Sequence, residues 1–106
     1  MSLQEIKKFL LDITLNTYHQ EAWQQPDTYI VWAEDGESDA VHADNRKEIQ
    51  ILDVTIDVFT KEEYPEIITR LQDAFNDKGI PFKLLSKQYE SETKYTHYEY
   101  LIQAVV

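Results

Sequence analysis

Asp35, Glu37, Asp39 and Asp44 crowd the stretch Asp35 to Arg46, DGESDAVHADNR, and oxygen-rich loops of this kind are what hard cations such as calcium take as ligands. The spacing fails the EF-hand test. Gly36 sits second and no glutamate closes a 12-residue loop, so a solvated acidic loop is the reading and a weak divalent site the alternative. His19, His42 and His97 fall on three separate elements, none with a partner at ligand spacing. Asp53 and Asp57 lie four apart on one strand, roughly 13 Å, farther than the paired carboxylates of glycosidases. They are expected to face solvent. Only two glycines occur, far apart, which rules out a Gly-rich phosphate loop. No Ser, His and Asp cluster is visible along the chain, which leaves open only a triad assembled in space. Trp23, Trp32 and the seven tyrosines, without basic residues between them, suit a sheet better than a nucleic-acid stacking platform. No catalytic, cofactor-binding or metal-ligating set is expected.

The elements that carry these residues follow from length and periodicity. A chain of 106 residues is one domain with enough surface to bury a sizeable core. Cysteine is absent, so disulfides and thiolate chemistry do not arise. No apolar run approaches the roughly 20 residues of a membrane span, and the first residues are amphipathic with acids among them. A soluble chain inside the cell, with no membrane partner, is expected. Ten basic residues against 20 acidic ones give a net charge of −10, which opposes tight nucleic-acid binding. Such acidity serves solubility, repels DNA or imitates it.

Leu3, Ile6, Phe9, Leu10 and Ile13 recur at helical spacing behind a Ser2/Glu5 capping box, predicting a helix to about Leu15. Thr28 to Ala33, TYIVWA, is β-branched and aromatic and reads as a strand. From Lys47 to Lys61 the chain alternates: Leu52, Val54, Ile56 and Val58 turn one way, Asp53, Thr55 and Asp57 the other, predicting a sheet with one core face and one wet face. Thr60 and Glu63 suggest a second capping box. Tyr64, Ile67, Ile68, Leu71 and Phe75 form one apolar stripe, while Pro65 forces the helix either to begin late, near Tyr64, or to open irregularly. Gly79 and Pro81 end it. Phe82 to Tyr89 and Tyr95 to Val105 read as two further strands, the last with Tyr98, Tyr100, Ile102 and Ala104 on one face and His97, Glu99 and Gln103 on the other. The order α-β-β-α-β-β predicts an α+β fold, two helices packed on one face of a mainly antiparallel four-stranded sheet.

Thr28 to Trp32, Ala43-Asp44, Asp57 to Lys61 (DVFTK) and the Tyr-rich strand Tyr95 to Tyr100 together resemble the small tail-completion and tail-terminator (head-tail joining) proteins of long-tailed bacteriophages and prophages. The likeness spans about four fifths of the chain, on motifs that are structural and not catalytic. It implies a non-enzymatic ring subunit, six-fold, that closes the tail tube and offers a surface to the head connector. Its partners would be further copies of itself, the tail tube protein and the connector protein, in a virion tail assembled in the bacterial host cytoplasm. Under that reading Asp35, Glu37, Asp39, Val41, His42, Asp44 and Arg46 form the docking loop, with Val41 and His42 as its contact residues. The reading from another class is an acidic, DNA-mimicking inhibitor of a nucleic-acid-binding protein.

Overall fold

The computed structural model describes residues 1–38 and 50–106. Its elements run α1 (Leu3–Ile13), β1 (Thr17–His19), β2 (Thr28–Glu37), β3 (Ile51–Thr60), α2 (Glu66–Asp77), β4 (Lys83–Glu90) and β5 (Tyr95–Val105). This is an α+β fold on a five-stranded sheet of order β1-β2-β3-β5-β4. The sheet is mixed and has one strand more than the sequence reading predicted. β1 runs parallel to β2, and the remaining pairs are antiparallel. β1 escapes sequence reading because three residues, Thr17, Tyr18 and His19, are too few to show alternation.

Side-chain alternation divides the sheet as the pattern of β3 requires. Val54, Ile56 and Val58 pack with Ile30 and Trp32 of β2 and Tyr98, Tyr100, Ile102 and Ala104 of β5. Onto that face come Ile6, Phe9, Leu10 and Ile13 of α1 and Ile67, Leu71 and Phe75 of α2. Ile56 and Leu71 are both fully buried in this core. The opposite face is wet over only part of its area. Near β1, Tyr18, Tyr29 and Tyr95 form a second buried cluster, with Ala22, Val31 and Phe59 packed against it.

The helix ends obey local chemistry. Ser2 Oγ accepts from the Glu5 N–H at 3.2 Å and the Glu5 carboxylate accepts from the Ser2 N–H at 3.1 Å, satisfying donors that the first turn leaves free. α2 begins at Glu66, with Pro65 as its cap and no side-chain capping bond. The predicted Thr60/Glu63 box is not formed; Thr60 Oγ1 instead accepts from the Glu62 N–H. Because the proline delays the helix, Tyr64 falls before it and leaves the apolar stripe, 87% exposed. At the other end Gly79 adopts φ +66°, and the Ile80 N–H reaches back to the Phe75 carbonyl at 2.8 Å, the bond that closes a helix around a left-handed residue.

Both sheet edges are guarded. β1 is short, and the Glu21 N–H occupies the outward carbonyl of His19. β4 is eight residues long but carries Lys83 and Lys87 and a register shift between Leu84 and Ser86, devices that discourage edge-to-edge pairing.

Candidate interaction surface

The acidic stretch singled out from sequence divides in two. Asp35 and Glu37 are not loop residues: β2 continues to Glu37, with a register shift between Glu34 and Gly36 opposite Val54 and Asp53. Strand pairing extends there because β3 supplies an antiparallel partner as far as Leu52, and Gly36 suits a local irregularity in the ladder. The Ser38 N–H then donates to the Ile51 carbonyl at 2.8 Å, and Gln103 Nε2 donates to Ser38 Oγ at 2.8 Å. Asp39, Val41, His42, Asp44 and Arg46 lie outside the described residues, as does the predicted start of β3 at Lys47.

Desolvation by neighbouring groups raises the Asp35 pKa from its ordinary value although the residue is exposed, and the charges of Asp57, Asp53 and Glu34 push it the same way. The charges of two strand aspartates therefore act on Asp35 from the neighbouring strand. Asp57, expected to be merely solvated, has a partner: His97 Nε2 lies 2.7 Å from its Oδ1. That hydrogen bond raises the His97 pKa, against the opposing effect of burial. The imidazole stacks on Phe59 at 4.3 Å, Phe59 stacks on Tyr29 at 4.8 Å, and Tyr95 meets both Phe59 and Tyr29 edge-on. A row of rings thus crosses β2, β3 and β5. A second histidine is also engaged, His19 Nε2 at 2.8 Å from the Glu34 carboxylate and stacked on Trp32 at 4.1 Å. The His19 bond lowers the Glu34 pKa.

A His–Asp pair does hydrolytic work when a nucleophile stands on the free ring nitrogen. His97 is bonded to Asp57 and stacked on the face of Phe59, which together fix the orientation of its ring. Among the described residues no group of three His, Cys, Asp or Glu side chains is placed to hold a metal ion.

The two ends of the sheet differ in character. Beside β1, Leu15 is 85% and Trp23 73% exposed. Trp23 is held in place: its ring meets Tyr18 edge-on at 4.9 Å, and the same segment is tied down by the Tyr95 hydroxyl, 2.9 and 2.7 Å from the carbonyls of Gln25 and Pro26. At the β4 end, Tyr64 and Tyr89 are exposed. There an open cleft of about 370 Å³ lies between β4 and the start of α2, lined by Glu63, Tyr64, Pro65, Lys87 and Tyr98 among others. Lys87 Nζ sits 5.4 Å from the Tyr98 ring centre, within cation–π range.

Sequence reading missed the His97–Asp57 pair and the exposed Trp23. The first was within reach: both residues had been assigned to the polar face of their strands, and only the adjacency of β3 and β5 was lacking. The second left no signal, because an aromatic residue in an irregular segment looks the same whether it packs inward or stands out. No family model and no curated protein matches this chain.

Proposed function

We propose that this chain is a non-enzymatic structural subunit that assembles head to tail into a ring, in the manner of the phage tail-terminator proteins its motifs resemble. The observation that carries this reading is the pairing of unlike sheet ends, Leu15 and Trp23 at one edge and the Tyr64 cleft at the other. A heterologous contact requires two different patches on one molecule, and a rotation that closes turns such contacts into a ring. In this reading the ring closes the tail tube, meets the connector protein and is assembled in the bacterial host cytoplasm. The net charge of −10 keeps passing DNA from adhering to it.

The open face favours one second reading. The charges of Asp57 and Asp53 act on Asp35, and such a group of carboxylates suits an acidic mimic of the DNA backbone. Light scattering after size exclusion separates the two. A closed ring supports the structural subunit, and a monomer or dimer that displaces DNA from a basic protein supports the mimic.

A further inference from the structure

We infer that residues 17–24 form a releasable strap over the outer edge of β2, with the Glu34 carboxylate as its latch. β1 pairs with the ten-residue β2 over three residues, Thr17, Tyr18 and His19 against Ile30, Val31 and Trp32. Parallel pairing of that length supplies few hydrogen bonds, and segments held by so little are where folded proteins open locally. The strap is fastened at both ends. The Ile30 N–H donates to the Asn16 carbonyl at 2.9 Å, and Thr17 Oγ1 donates to the Thr14 carbonyl at 2.7 Å. At the far end the Tyr95 hydroxyl lies against the carbonyls of Gln25 and Pro26.

Between the fastenings the backbone is strained. Gln20 has φ +74°, in the left-handed region that residues other than glycine seldom occupy. Across it the Glu21 N–H donates to the His19 carbonyl at 2.9 Å, which makes a three-residue γ-turn of positive φ, a rare and strained form. Such strain persists only where the surroundings over-determine it, and here the contacts converge on one side chain. Glu34 Oε2 lies 2.8 Å from His19 Nε2, and the Gln20 side chain bonds to the same carboxylate. The stack of His19 on Trp32 at 4.1 Å and the Gln20 N–H, donating to the Trp32 carbonyl at 2.8 Å, complete the hold. Removing Glu34 leaves the strain and takes away what opposes it. Tyr18, buried against Tyr29 and Trp23, keeps the closed form the resting one. On opening, Trp23 travels with the strap and the Ile30, Val31 and Trp32 edge is uncovered, a β-branched and aromatic stretch whose backbone groups another strand can take.

Hydrogen exchange of the full chain, read amide by amide at low urea concentrations, tests the strap. In the parent the Gln20 amide should exchange faster than those of Ile56 and Val58 on β3 and with little dependence on urea, the behaviour of a local opening. Glu34→Ala should speed exchange at Gln20, relative to Ile56 and Val58, by at least roughly tenfold. A Gln20 amide that exchanges in step with those two in the parent, or a smaller relative change in the variant, would overturn the proposal. If Glu34→Ala does not fold, His19→Phe takes its place, since it keeps a ring on Trp32 and removes the bond to Glu34. Faster relative exchange at Gln20 in that variant supports the latch, and exchange at the parental rate overturns it.

Discussion

His97 Nε2 and Asp57 Oδ1 lie 2.7 Å apart on adjacent strands, diagonally offset by two residues, since Asp57 faces Glu99 and His97 faces Phe59. The bond holds the imidazole against Phe59 and joins β3 to β5 on the open face. The Asp57 hydrogen bond raises the His97 pKa above its ordinary 6.5, with the charges of Asp57, Glu99 and Glu90 acting the same way and burial opposing. A histidine whose pKa is raised on folding contributes stability that is full below the unfolded value and disappears as pH rises through the folded one. Urea denaturation from pH 6 upward should therefore show stability falling, by on the order of 0.5–1 kcal/mol for a partly exposed pair. In Asp57→Asn that slope should flatten; an unchanged slope would assign the pH dependence elsewhere.

Asp35 shifts stability with pH in the same direction, but as a cost that appears and not a gain that is lost. Desolvation and neighbouring acids raise its pKa, so its ionised form at neutral pH is held less well in the folded chain than in the unfolded one, a cost present above the ordinary carboxylate range and absent at low pH. Asp35→Asn should stabilise the protein slightly at pH 7, because the side chain is exposed and solvent screens the effect, with the gain vanishing near pH 3. A loss of stability at pH 7 would mean that the carboxylate has a favourable partner.

In the core, Ile56 and Leu71 are fully buried in one cluster, the first on β3 and the second on α2. Truncating either to alanine should cost about 2–4 kcal/mol, the transfer term plus the cavity left behind. Thermal or denaturant midpoints would show it, and a cost below about 1 kcal/mol at both would contradict the packing of helices on that face.

Gly79→Ala tests the end of α2. The position has φ +66° and open space around it, so no clash arises and the cost is backbone strain alone, on the order of 1 kcal/mol. Equal stability of the variant would show that the turn relaxes to another conformation.

These outcomes mark what the sequence makes legible. Where a period lasts for several residues, as in α1 with Ile6, Phe9, Leu10 and Ile13 or in β5 with Tyr98, Tyr100 and Ile102, the buried face can be read directly. Short or interrupted signals behave otherwise. β1 has too few residues to alternate, Pro65 displaces Tyr64 from its stripe, and Asp35 and Glu37 look like loop until an antiparallel neighbour draws them into β2. Of the seven residues expected to dock, Asp35 and Glu37 fall among the described residues, and both lie on a strand. The surface features that carry the functional proposal, Trp23 and the Tyr64 cleft, depend on which strands form the sheet edges, and no local pattern encodes that.

Acidity makes a further prediction. With a net charge of −10 there is no surplus of cations to release counterions from phosphates, and duplex DNA should show no gel shift at micromolar protein and physiological salt. A salt-sensitive shift would overturn the reading of the acidic surface as one that repels DNA.

Head-to-tail assembly is tested most directly by the mass of the particle in solution. Size exclusion with light scattering, run over a concentration series, should resolve a single closed species of six 12.6 kDa copies, with no intermediate favoured once the ring can close. A monomer at every concentration, or a dimer that grows no further, would contradict it.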